Sequence, residues 1–225
     1  MCGRYTLTTE LERLEERFSF QVKNLSFKPC YNIAPSQSVL TVMSNEGENR
    51  AGFLRWGLIP SWAKEAAIGD RMINARAETV AEKPSFRRAL QKRRCLVLAD
   101  GFYEWRREGK KKTPLFITLT SREPFAFAGL WESWQAPNGE TIHSCTIITT
   151  TPNALMESIH NRMPVMLSRA QEALWLDRTV EDAQVLLPLL APYPAKAMTA
   201  YEVSTTVNSP KNDSPVCIEP LEQAD

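Results

Sequence analysis

No segment of this sequence stays apolar for the roughly 20 residues that a membrane-spanning helix needs. The opening stretch 8–17 is polar and charged, not the apolar region of a secretion signal, so a cytoplasmic protein is expected. Low-complexity tracts, internal repeats and Gly/Ser linkers are also missing. The 225 residues are therefore read as one domain, 1–225, with 206–225 as a C-terminal tail. The five cysteines, Cys2, Cys30, Cys95, Cys145 and Cys217, are odd in number, widely spaced and contain no Cys-x-x-Cys pair. That pattern argues against a disulfide framework and a zinc knuckle, and predicts reduced thiols and no metal. The nine glycines never cluster into a Walker or dinucleotide phosphate loop, so no cofactor is expected.

Excess charge of one sign is lacking too, because 27 Lys+Arg stand against 26 Asp+Glu. The balance hides a polar chain. Residues 1–112 hold 21 basic and 13 acidic side chains, a net +8, whereas 113–225 hold 6 and 13, a net −7. The basic excess concentrates in 83–94 and 106–112. Either cluster alone reads as a solvated helix face or a hairpin loop, but with Arg4, Arg55, Arg71 and Arg76 they point to a polyanion partner.

Thr9-x-x-Glu12 has the form of a capping box, and Leu11, Leu14 and Phe18 follow at helical spacing, which predicts a helix over 9–18. Strand-like runs recur at 39–43, 53–59, 95–99, 102–106, 115–119, 125–131, 142–149 and 201–204. Between them, 84–91 reads as a helix opened by proline, Pro152 starts another, Ser168 caps 169–176, and a last helix covers 181–190. Strands dominate without βαβ alternation. The fold class is α+β with a curved, mixed or largely antiparallel sheet and peripheral helices.

Cys2 carries the most chemistry. Loss of Met1, which a small second residue permits, would leave an α-amine and a thiol on one residue. The amine can condense with an aldehyde and the thiol can close on the same carbon as a five-membered thiazolidine. Their ordinary pKa values, about 7.7–8.0 and about 8.5, leave usable nucleophile near neutrality. Gly3 allows close approach and Arg4 supplies a cation that suits an anionic substrate. Glu104, between Tyr103 and Trp105, reads as a desolvated general acid or as an outward strand charge. Asn74 and Arg76 would share one side of an extended chain, or Asn74 would cap a helix. His160, in the loop-like string His160-Asn161-Arg162-Met163-Pro164, is a working or a surface histidine, and His143 is structural.

The strings Met1-Cys2-Gly3-Arg4, Tyr31-Asn32-Ile33-Ala34-Pro35, Arg55-Trp56-Gly57-Leu58-Ile59-Pro60, Asn74-Ala75-Arg76-Ala77-Glu78-Thr79, Phe102-Tyr103-Glu104-Trp105 and His160-Asn161-Arg162-Met163-Pro164 together resemble the SOS response-associated peptidase (SRAP) family. The resemblance spans nearly the whole chain. It implies a single domain around a barrel-like sheet and a DNA-damage role: covalent shielding of abasic sites in single-stranded DNA. The accompanying expectations are a monomer, nucleoid-associated when bound to DNA, with lyase-like chemistry, and Met1 removed either by self-cleavage or by ordinary aminopeptidase action. By that resemblance Cys2 is the nucleophile, Asn74 positions the sugar, Glu104 is the acid/base and His160 stands beside the opened ring. Arg4, Arg76 and Arg162 correspond to phosphate contacts, and Pro35, Trp56 and Trp105 to apolar elements against bases. Two other readings stay open: an N-terminal-nucleophile cysteine amidohydrolase or peptidase, and a noncovalent reader of modified DNA.

Overall fold

The computed structural model describes residues 2–21, 25–45 and 47–221. Its strands in chain order are β1 (Tyr5–Leu7), β2 (Cys30–Ile33), β3 (Ser38–Asn45), β4 (Glu48–Trp56), β5 (Asn74–Arg76), β6 (Arg94–Ala99), β7 (Gly101–Glu108), β8 (Lys111–Leu119), β9 (Phe125–Gln135), β10 (Thr141–Thr150), β11 (Met163–Pro164), β12 (Met166–Leu167) and β13 (Met198–Glu202). The helices are α1 (Leu11–Phe18), α2 (Arg87–Lys92), α3 (Arg169–Leu176) and α4 (Ala183–Leu186). The path β10-β4-β3-β6-β9 closes because β9 also pairs with β10. Only the β4–β10 contact on that ring is parallel, so the single-domain α+β fold has a closed, mixed five-stranded barrel at its centre. A second sheet, β13-β8-β7-β1-β2, lies against it.

Period-2 patterning makes these strands, but β6 and residues 125–130 of β9 are buried on both faces. Barrel interior covers one side and the outer layers cover the other. Tyr5 joins the two sheets, its ring edge-on to Trp56 at 5.3 Å and to Phe127 at 5.7 Å. The chain passes from β6 to β7 through Asp100. That carboxylate accepts from the Thr6 hydroxyl at 2.5 Å, the backbone N–H of Thr8 at 2.5 Å and of Thr9 at 2.9 Å, and both of their hydroxyls. Asp100 thus clamps the segment that follows Cys2.

Several expectations are corrected by this arrangement. Thr9 does not cap α1: Glu10 holds that position without a side-chain bond, because Asp100, a charged acceptor, takes Thr9 instead. The helix expected from Pro152 is a run of turns at 154–159. There Asn153 accepts the Met156 N–H at 3.0 Å through its own side chain, a local bond that competes with helix. The helix expected at 84–91 starts at Arg87, and the one at 181–190 becomes a 3-10 turn from Leu187, since Pro188 has no N–H to continue it. Strand 53–59 starts earlier, at Glu48, and ends at Trp56, because Gly57 adopts φ +130° and its Cα comes so close to Gly69 that a side chain would strike the Gly69 carbonyl at 2.7 Å. The short strands β1 and β2 carry too little local pattern to be read.

The 206–225 stretch is no tail through residue 221; residues 222–225 lie outside the described ones. Val203, Val207 and Cys217 are buried with Tyr103 and Phe116 as a satellite core. The Asn32 amide holds the strap that carries them, donating to the carbonyls of Val207 at 3.2 Å, Ser209 at 3.0 Å and Asn212 at 2.7 Å. The basic cluster 83–94 is likewise partly internal. Arg94 is 5% exposed and donates to the carbonyls of Leu90, Gln91 and Trp175, closing the carboxyl ends of α2 and α3, while Arg93 pairs with Glu132.

Candidate active site

Cys2 enters the fold immediately before β1, where the Tyr103 N–H donates to the Arg4 carbonyl at 3.0 Å and so lays the N-terminal segment along β7. The Cys2 residue is wholly buried. Burial pushes its thiol well above the ordinary range, and the nearby Glu104 carboxylate pushes it further. This differs from the unperturbed thiol that composition suggests. The expected removal of Met1 concerns a residue outside the described ones.

Glu104 is 3% exposed, and burial raises its carboxyl above the usual carboxylate range, opposed by the neighbouring His160. Such a group holds its proton to higher pH, as a general acid requires. Glu104, Trp105, His160 and Asn208 line one cleft of about 840 Å³. His160 sits after the turns at 154–159, with its Nδ1 3.0 Å from the backbone nitrogen and 3.2 Å from the carbonyl oxygen of Arg162, so the tautomer decides whether that nitrogen accepts or donates.

Asn74 opens β5, which pairs in parallel with β10 through Ile147. Ala75 is buried, whereas Asn74 is half-buried and Arg76 exposed, so the expected alternation along an extended segment holds. The Asn74 amide donates to the Ile147 carbonyl at 3.4 Å, and its Oδ1 is buried with no hydrogen-bond partner among the described residues. An orphaned buried acceptor calls for an explanation, and a ligand hydroxyl would supply one.

The remaining expected contacts divide. Trp105 is half-buried with its indole N–H donating to Asn208 Oδ1 at 2.7 Å, and Arg4 stands over its ring at 5.8 Å. Arg4 itself donates to Asn32 Oδ1 and the Val207 carbonyl, both at 2.7 Å. Pro35 is half-buried in the turn after β2, next to Ser36 at φ +72°. Trp56 does not face a surface: it is 0% exposed and donates to the Ile73 carbonyl at 2.9 Å. Strand alternation turns it into the core, which aromaticity alone does not reveal. Arg162 is also committed internally, gripping Glu78 at 2.5 and 3.0 Å and the Thr149 carbonyl at 2.6 Å, with its side chain 15% exposed. Trp62, 59% exposed in the segment after β4, and Asn208, on the strap, were missed by sequence reasoning. An aromatic just after Pro60-Ser61 was a signal for the first; nothing local marks the second.

A family description, SOS response associated peptidase (SRAP), matches residues 1–210. The chain is 52% identical to the abasic site processing protein YoqW of Bacillus subtilis (strain 168), over 97% of this chain and 99% of that one. It is 31% identical to the abasic site processing protein HMCES of Xenopus tropicalis, over 97% of this chain and 78% of that one. A crystal structure of a Bacteroides thetaiotaomicron protein superposes with a TM-score of 0.88 at 28% identity, covering 98% of this chain and all of the other. By sequence over almost its entire length, this chain belongs to the SOS response associated peptidase family.

Proposed function

We propose that this protein binds single-stranded DNA at an abasic site and traps the ring-opened sugar aldehyde on Cys2 once Met1 is gone. The observation that carries the reading is the burial of the Cys2 thiol against Glu104, which shares a cleft with His160. The names of the relatives, abasic site processing proteins, support the same substrate.

The thiol's raised pKa sets the order of events. The α-amine of Cys2 attacks the aldehyde first, giving a carbinolamine. Glu104, whose burial favours the protonated form, gives its proton to the carbinolamine hydroxyl, which leaves as water and produces an iminium ion. That cation favours the thiolate beside it. The Glu104 carboxylate then takes the thiol proton, sulfur adds to the iminium carbon, and the thiazolidine closes with Glu104 again protonated. Amine, thiol and aldehyde have become one ring and one water. The Asn74 carbonyl oxygen would hold a sugar hydroxyl, and the imidazole of His160 would assist ring opening. Trp105 and the exposed Trp62 offer faces for stacked bases, each worth roughly 1–3 kcal/mol.

Intact-mass spectrometry after mixing with an abasic single-stranded oligonucleotide tests this. The expected product is protein without Met1 plus oligonucleotide, less one water. Cys2→Ala and an N-terminal tag that cannot be removed should each abolish the heat-stable adduct. Equal adduct from the tagged protein would move the nucleophile elsewhere, and glutaminase activity without any adduct would favour an amidohydrolase.

A further inference from the structure

Resting on the reading above, we propose that the β7–β8 hairpin carries a phosphate-binding subsite, built by Arg107 and Lys112, for a nucleotide flanking the abasic position. The two cations are directly opposed across the hairpin, and both line the cleft that holds Glu104 and His160. Like charges placed opposite one another in an antiparallel pair are destabilising. Among the described residues neither forms an ion pair, although two acids, Glu104 and Glu157, line the same cleft. The other side of the same hairpin is treated differently. There Arg106 pairs with Glu108 at 2.9 Å and with Glu202. A merely solvated hairpin has no reason to neutralise one side and leave the side facing the cleft as an uncompensated pair.

Spacing ties the pair to the strand that would be bound. Trp105 and Arg107 are two residues apart on β7, hence on one face and separated by about 7 Å. The Trp105 ring is fixed from two directions, by Asn208 at its N–H and by Arg4 over its plane, so a base stacked on it has a defined place. The backbone of that nucleotide then runs toward Arg107 and Lys112. Arginine forks onto two phosphate oxygens while lysine supplies a point charge, a combination suited to one backbone phosphate.

The test uses full-length protein with Arg107→Ala and Lys112→Ala combined, and an unmodified fluorescent single-stranded oligonucleotide. Loss of the contacts to that one phosphate should make the slope of log K against log salt shallower by about 0.7. Arg106→Ala, on the compensated side, should leave the slope unchanged, and Arg107→Lys with Lys112 intact should restore most of it. With an abasic oligonucleotide the double variant should form adduct more slowly at subsaturating DNA but at the wild-type rate at saturation. A wild-type salt slope in the double variant, or an equal loss of rate at saturation, overturns the subsite. Because the binding arm uses unmodified DNA, absence of any adduct counts against the function proposed above and not against the hairpin.

Discussion

Glu104 concentrates the energetic conflict of the site in one residue. Its carboxyl is buried and its pKa raised, so across the range from about 4.5 upward the unfolded chain releases this proton before the folded protein does. The unfolded state then binds fewer protons, and stability falls as pH rises from the unfolded pKa to the folded one, remaining low above it. Glu104→Gln removes that dependence while keeping the shape. The variant is expected to be more stable than wild type at pH 7–8, with the difference vanishing near pH 4, in denaturant unfolding followed across pH. The same variant should form adduct about 10²-fold or more slowly. A stability difference that does not change with pH would mean that Glu104 is ionised alike in both states. At this scale the candidate set Cys2, Asn74, Glu104 and His160 could be singled out from the sequence, because unusual residue types in unusual strings carry their chemistry with them. The burial that raises the Cys2 thiol was not, since desolvation depends on neighbours distant in the chain.

Among the elements, α1 and α3 meet through a buried ion pair that no sequence window contains. Arg17 grips Glu172 in fork fashion, both contacts at 2.8 Å, with side chains only 8% and 10% exposed. Removing one partner strands a buried charge, typically costing 3–5 kcal/mol, whereas replacing both by apolar residues of similar volume is often neutral or better. Arg17→Met should therefore destabilise by about 3 kcal/mol or more, and Arg17→Met with Glu172→Met should recover most of that, measured as a double-mutant cycle in urea. Additive losses would show that the pair is not the source. The position of α1 could be read from Leu14 and Phe18, but not its start, because Asp100 claims Thr9 across the fold. Proline and asparagine similarly turned expected helices into turns, where the missing backbone donor of Pro188 and the side-chain acceptor of Asn153 overrode periodicity.

Over the whole molecule, the strap that ends the described chain completes the site from outside the barrel. Asn32, 1% exposed, gathers the carbonyls of Val207, Ser209 and Asn212 and also orients Arg4. At about 0.5–1.5 kcal/mol per hydrogen bond, Asn32→Ala should cost roughly 2–3 kcal/mol and make the strap the first site of limited proteolysis, with the barrel resisting. Unchanged protection of residues 205–221 would deny Asn32 this role. The sequence by itself determined the class of strand-rich α+β fold and the order of most elements, and it offered the candidate site residues, because alternation and side-chain chemistry are local properties. The tertiary structure alone decided three things: that Trp56 and Arg162 turn inward, that an apparent tail becomes a wall of the cleft, and that Arg107 and Lys112 face that cleft uncompensated. Each depends on which distant segments share a surface, and burial, ion pairing and desolvation exist only once the barrel has closed and brought them together.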